Sequence, residues 1–297
     1  MPAISSIEIN PSRKADWEVD FYSRPILESD GKKRWELLIT SSEELSGATP
    51  FQWEQRCPAG EVNSLWLTNA LKEAIEEANK QGWETPLRIR SWRSSMKTMI
   101  RKAAEKLGLE VIASRRTYAL QEWLAQRERE VYPNQEGYLT GPLAPTISPP
   151  LNQPLPLPEA VRGDAWSIAY IPLGVLKEAE GWPMEFSGLL PIPKVNDENI
   201  PIPGLRLFSK SRALALAGWL GGLEPVKLVI EGNQLLLEAG QEDRWLVSDL
   251  RPEIAKEAQQ NLMISKEKAN GLQFISIQTS PEEEYFAGFW MLKDLSL

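Results

Sequence analysis

"WEVDFYSRPILESDGKKRWELLIT", residues 17–40, decides how the first half of this chain is read. Trp17, Val19 and Phe21 share one face, with Glu18, Asp20 and Tyr22 opposite, the period of two expected of a half-buried strand. Asp20 is then a solvent-facing residue or a partner for Arg24. Asp30-Gly31 is a hairpin signal, and "RWELLIT" returns as the second strand. "FQWEQRC" supplies a third. Asn63 or Ser64 can cap a helix through "LWLTNALKEAIEEANKQG", which stops near Gly82. "PLRIRSW" is a strand, Ser94 or Ser95 opens a helix ending at Gly108, and "LEVIAS" is another strand. "RRTYALQEWLAQREREVY" forms the last helix before Pro133. The order βββαβαβα is that of the ribonuclease H-like fold, a mixed sheet with hairpin strands beside parallel ones.

Prolines at 133, 142, 145, 149, 150, 154, 156 and 158 forbid a helix and favour an extended, semi-rigid spacer. The expected organisation is an α/β domain over 1–132, a proline-rich linker over 133–163 and a second α/β domain over 164–297. In the second, "DAWSIAYIPLG" reads as a strand, followed by a loop-rich insert, the strand "LRLFS" and the helix "SRALALAGWLGGL". "VKLVIEG", "QLLLEAG" and "RWLVSDL" are strands, "PEIAKEAQQNLMISKEKANG" is a helix opened by proline, and "LQFISIQTS" is a strand. "SPEEEYFAGFWMLKDL" is expected to close the chain as a helix with acids in its first turn. "LRIRSWRSSMKTMI" with "GLEVI" faintly echoes "LRLFSKSRALALAGWLGGLEPVKLVI", so the two domains are expected to be related mixed-sheet units.

The 297 residues include no histidine and one cysteine, Cys57. Ser-His-Asp and Cys-His catalysis are thereby excluded, and zinc has almost no ligands. No internal disulfide is possible, which fits a reducing compartment. No P-loop and no G-x-G-x-x-G after a strand is present. No apolar run approaches the ~20 residues of a membrane span. "MPAISSIEIN" has no signal or transit pattern, so a cytoplasmic protein is expected. Neither a cofactor nor a metal is expected.

The net charge is −8, yet Arg88–Arg129 holds 11 basic and 4 acidic residues, against 22 and 37 elsewhere. At 100° per residue, Met96, Met99, Ile100, Ala103 and Leu107 form a buried helix face. Arg93, Lys97 and Arg101 run beside it, Arg88 and Arg90 precede it on a strand, and Arg115 and Arg116 open the last helix. These cations offer several phosphate contacts, and Trp92 and Tyr118 can stack on unpaired bases. The alternative is a solvated face balanced by acids elsewhere, with Trp92 in the core. A nuclease would need carboxylates around two metal ions. Asp20 can fill one place, but Ser91 stands where the fourth strand should carry an acid, with Arg90 and Arg93 beside it. Asp164, Asp249 and Glu282–Glu284 are the second-half acids near element ends.

"WEVDFYSRPI", "KRWELLIT", "ASRRTYALQEWLAQREREVYP", "RGDAW", "PIPGL", "SRALALAGWLGGLEP", "DRWLVSDL" and "FAGFWML" together resemble the translation-factor family that photosynthetic organisms need for photosystem I. The resemblance runs from about Trp17 to Leu292. It implies a non-enzymatic, RNA-binding protein of cyanobacterial type that supports translation or assembly of photosystem I. Its partners would be RNA, single-stranded or the 5′ leader of a photosystem mRNA, and translation or photosystem assembly proteins. The family's C-terminal Trp-Leu-Leu signature reads Trp290-Met291-Leu292 here, a volume-conserving change. A scaffold for photosystem assembly is the competing expectation, with Phe286, Phe289 and Trp290 as a docking face if exposed.

Overall fold

The computed structural model describes residues 15–42, 49–140, 151–192 and 197–295. The chain divides into two compact units. The first comprises Met1–Ser42, Thr49–Ile112 and Glu122–Pro145; the second comprises Glu43–Ala48, Ala113–Gln121 and Thr146–Leu297. The stretch Ala113–Gln121, which the sequence suggests for the first domain, thus counts with the second unit.

The first unit is built on the hairpin of β1 (Trp17–Leu27) and β2 (Lys33–Ser41). They pair antiparallel from Trp17↔Ser41 to Ser23↔Trp35, and the register shifts beyond Ser23, where Pro25 has no amide to donate. Gly31 turns the hairpin at φ 77°, and the Asp30 carboxylate accepts from Lys32 N at 3.0 Å. β3 (Gln52–Cys57) continues antiparallel on β2, and β4 (Arg88–Ser91) lies parallel to β1. With β5 (Glu110–Ala113) the sheet order is β3-β2-β1-β4-β5. Helix α1 (Ser64–Lys80) falls between β3 and β4, and α2 (Lys97–Glu105) between β4 and β5. The Asn63 side chain caps α1, accepting from Leu65 N and Trp66 N, both at 2.9 Å. A 3-10 turn, Ser94–Met96, leads into α2 with no side-chain cap.

Trp17, Val19, Phe21, Leu37 and Ile39 pack under Leu67, Leu71 and Ala74 of α1 and Ile100 and Ala103 of α2. The expectation of a half-buried β1 is corrected. Glu18 and Asp20 on its other side are as buried as the apolar face, and so are Glu36, Leu38 and Thr40 of β2. Chain from residues 127–139 is bonded onto this side: Tyr132 reaches Glu36, and Leu27 N donates to Gly137 O at 2.8 Å.

α3 (Tyr118–Gln126) carries the chain across the division of units and widens into a π-helical turn, Arg127–Val131. Much of the expected linker is held in place. Tyr132–Asn134 is a 3-10 turn, Tyr138 bridges Ile26, and β6 (Leu155–Pro156) pairs with a second-unit strand. Its prolines 142, 145, 149 and 150 lie outside the described residues.

The second unit has two sheets. β7 (Ala165–Pro172) leads to the short helix α4 (Leu173–Leu176), then to β8 (Met184–Gly188) and β9 (Pro201–Phe208). Helix α5 (Ala213–Gly222) precedes β10 (Pro225–Glu231), β11 (Gln234–Ala239) and β12 (Asp243–Asp249). Helix α6 (Pro252–Lys268), β13 (Leu272–Gln278) and β14 (Phe286–Lys293) complete it. The sheet orders are β10-β11-β12-β6 and β7-β9-β13-β14-β8. β4-α2-β5 and β9-α5-β10 share a local succession, as their sequences suggest. However, β4 and β5 are neighbours in one sheet, whereas β9 and β10 belong to different sheets.

The closing segment is a strand, not the expected helix. β14 pairs antiparallel with β13 and parallel with β8, and both of its faces are covered. Trp290 and Leu292 enter one apolar cluster with Leu216 and Leu220, while Phe289 and Met291 enter another with Phe274 and Ile202. Burial on both faces erases the period-two signature. Glu282–Glu284 sit in the exposed turn before it.

Candidate nucleic-acid interface

The nine residues singled out in the sequence are divided between the two units. Arg88, Arg90, Trp92, Arg93, Lys97 and Arg101 belong to the first unit, and Arg115, Arg116 and Tyr118 to the second. In the first unit, Arg88 grips Asp16 with Nη2 at 2.8 Å and Nε at 3.1 Å, and Arg90 Nη1 reaches the same carboxylate at 2.8 Å. Arg93 Nε donates to Asp20 Oδ1 at 2.6 Å. Its guanidinium lies 4.1 Å from the centre of the Tyr22 ring and 4.0 Å from that of Trp92. Trp92 is buried and serves the core, so the stacking role expected of it has no exposed ring to act through.

Asp20 belongs to a buried ionic network of which the sequence suggests only the Asp20–Arg24 pair. Its Oδ2 accepts from Arg24 Nη1 at 2.9 Å, and Arg24 Nε stands 3.4 Å from Glu36 Oε2. The same Glu36 oxygen accepts from Tyr132 at 2.9 Å and Arg127 Nη2 at 3.3 Å, and Arg127 also binds Glu54. Burial pushes the Asp20 carboxyl up, but Arg24 and Arg93 together outweigh it and hold the group below its ordinary value. Half-buried Glu128 faces the same guanidiniums and has the opposite outcome, because burial prevails and raises it. Burial likewise pushes the Tyr132 phenol up to about 12.

A metal-dependent nuclease finds no support in this arrangement. Both Asp20 oxygens are taken by guanidiniums, and Ser91 is buried at the end of β4. In the second unit, Asp164 binds Ser209, the backbone N–H of Lys210 and Arg212, which keep it below its usual range. Among the described residues no three His, Cys, Asp or Glu side chains are grouped to hold a metal ion.

The second-unit candidates act as staples. Arg115 Nη1 donates to buried Glu238 at 2.7 Å. Arg116 Nη1 donates to the carbonyls of Pro225 and Met291 at 2.8 and 3.1 Å, joining β10 to β14. Tyr118 is buried; its hydroxyl donates to Val226 O at 3.1 Å and accepts from Lys293 N at 3.2 Å. Tyr118 therefore presents no free ring for a base.

Besides Arg88, the solvent-facing cations of Arg88–Gly108 are on and just after α2. Lys97, Arg101 and Lys102 are exposed along it, as is Lys106 just beyond its end, with Glu105 among them. Relative to Lys97, Arg101 stands at about 40°, Lys102 at about 140° and Lys106 at about 180°, so the four fill the outer half of the helix. Arg101 reaches Glu105 only at 3.9 Å, with both side chains more than half exposed. No acid lies within ion-pairing distance of Lys97, Lys102 or Lys106 among the described residues. Lys102 and Lys106 were not among the nine, although the same helical angles that placed Met96 and Ile100 inside put both outside. The scaffold's proposed docking face is largely interior: Phe289 and Trp290 are buried, and Phe286 is stacked on Trp182 at 5.4 Å.

Residues 16–127 match the family described as RNA-binding protein Tab2/Atab2 N terminal, and residues 144–293 match RNA-binding protein Tab2/Atab2, C-terminal domain. The chain is 31% identical to the chloroplastic protein TAB2 homolog of Zea mays over 97% of this chain and 74% of that one. It is 32% identical to the Arabidopsis thaliana protein of the same name, over 97% and 78%. A chain of the cryo-EM structure of a simian T-cell lymphotropic virus intasome in complex with PP2A regulatory subunit B56 gamma aligns with TM-score 0.32 and 11% identity. That alignment covers 82% of this chain and 81% of the other, and likeness at this level carries no argument.

Proposed function

The chain belongs to the Tab2/Atab2 family of RNA-binding proteins, and on that premise we propose that it binds RNA through α2 in support of photosystem I biogenesis. The observation that carries the placement is the outer half of α2: four exposed cations with one exposed acid among them, on a protein of net charge −8. Such a face focuses a positive field that a phosphate backbone meets at little desolvation cost. The role is non-enzymatic in this reading, since histidine is absent and Asp20 is already neutralised by arginines. Translation of a photosystem mRNA, or the assembly step that follows it, is the process proposed. The resemblance of the whole chain to a photosystem I translation-factor family supports it, as does the chloroplastic designation of the plant relatives. A cytoplasmic site of action is proposed on composition: the sole cysteine, Cys57, is a buried free thiol and leaves no internal disulfide, as fits a reducing compartment.

Crosslinking the protein to cellular RNA and mapping the crosslinked peptides tests this directly. Peptides from residues 97–106 and recovery of photosystem I transcripts are expected. Crosslinks confined to other peptides would move the site, and absence of RNA would remove the function.

A further inference from the structure

The chemistry around the α2 cations also fixes which part of an RNA this face can recognise, granted the RNA-binding reading above. Base recognition needs an exposed aromatic or guanidinium plane to stack on, or amide and guanidinium groups fixed at the height of the base edges. On the outer half of α2 Arg101 is the sole guanidinium, and among the described residues nothing but the loose Glu105 contact at 3.9 Å holds its plane. The remaining exposed residues of that half are Thr98 and Glu105, and the helix contains no aromatic residue. The rings nearest in sequence and packing are already engaged. Trp92 is buried with Arg93 over its ring, Tyr22 lies under the same guanidinium, and Trp66 of the neighbouring α1 is stacked on Phe21 at 5.4 Å. What remains is four flexible cationic side chains spread over the ten residues 97–106, about 14 Å along the helix axis. Among the described residues three of them have no acid within ion-pairing distance, and Arg101 has only a loose partner that a phosphate can displace.

We propose that α2 binds the sugar–phosphate backbone alone and reads no base. Its ligand is a phosphodiester chain of any sequence, engaged at up to four phosphates. This face contributes affinity and not selectivity.

The test uses the full chain and four labelled 15-residue probes: oligo-U, oligo-A, a mixed-sequence RNA and an abasic sugar–phosphate oligomer. Anisotropy titrations are run at several salt concentrations on wild type and on K97Q/R101Q/K102Q/K106Q. All four substitutions are at exposed positions, and an unchanged melting curve checks that the variant folds. K97R/K102R/K106R, which keeps the charges, serves as the control. The quadruple variant is expected to lose affinity for all four probes by the same factor. The slope of log affinity against log salt should become shallower by about 2.8, four contacts at about 0.7 each. The arginine variant should bind like wild type. Loss confined to probes that carry bases overturns the inference and leaves RNA binding intact. Equal binding by variant and wild type to every RNA overturns the placement on α2. Wild type that binds no RNA removes the functional reading and this inference with it.

Discussion

Replacing Asp20 with asparagine should unsettle the first unit more than its single charge suggests. Asp20 lies within hydrogen-bonding distance of Arg93 at 2.6 Å and Arg24 at 2.9 Å, and all three side chains are at least nine-tenths buried. Asparagine keeps the shape and one acceptor but removes the charge. Arg24 then leans on Glu36 at 3.4 Å, and Arg93 keeps the faces of Tyr22 and Trp92, with half-buried Glu128 near both guanidiniums. Breaking a buried ion pair from one side costs about 3–5 kcal/mol, because the surviving cation stays desolvated without compensation. For a unit of this size that corresponds to a fall of about 11–18 °C in melting temperature. Urea and thermal unfolding followed by tryptophan fluorescence measure it, and D20N/R93Q should cost less than the two single changes added together. The acid limb carries the same information. The folded Asp20 carboxyl titrates below its unfolded value of about 4. Its stabilisation is therefore fully present above about pH 4 and drains away as pH falls toward the folded value. Wild type should lose stability more steeply than D20N over that interval. A D20N protein that melts within about 2 °C of wild type, with an unchanged acid limb, would refute this account of the network.

Asp16→Asn should release Arg88, whose side chain is 45% exposed. RNA affinity should rise at low salt, with the salt slope steeper by about 0.7; unchanged titrations would mean that Arg88 is not within reach of the RNA. Tyr118→Phe should cost about 1 kcal/mol of second-unit stability through its two lost backbone bonds, with RNA affinity unaltered, so weakened binding would restore Tyr118 to the interface. Gly204→Ala would place a methyl carbon 2.3 Å from the Phe274 ring that lies across it, and a loss of about 1–3 kcal/mol in urea unfolding is expected.

Local physics made much of the first unit legible. The β1–β2 hairpin announces itself through alternation and Asp30-Gly31, and α1 through Asn63, because each signal arises within a few residues. β14 was unreadable for the converse reason. Its environment is built by β13, β8 and α5, and burial on both faces removes the alternation that distinguishes a strand. β8 lay hidden in a loop-rich insert, since Met184–Gly188 is short and gains its place only by pairing with β14. The rest of the ionic network was hidden by distance along the chain. Glu18 and Asp20 look solvent-facing because the chain bonded onto their side of the sheet comes from far along the sequence, as the contact of Arg127 with Glu36, 91 residues apart, shows.

That same contrast explains why a basic stretch overstates its own capacity to meet RNA. A phosphate gains from a guanidinium only the difference between its own attraction and that of the carboxylate it displaces. At Arg93 and Arg115 the exchange would strand Asp20 and Glu238, both buried, and buried carboxylates cannot be repaid by water. At Arg101 the displaced partner is Glu105, exposed and 3.9 Å away, where the existing pair is worth little. Among the described residues Lys97, Lys102 and Lys106 have no carboxylate to surrender. The cations of Arg88–Gly108 are therefore ranked by what each must give up, and the order begins on the outer face of α2 and ends at Arg93. Charge counted along the sequence cannot supply that order, since it depends on which acids the fold has already buried against each arginine.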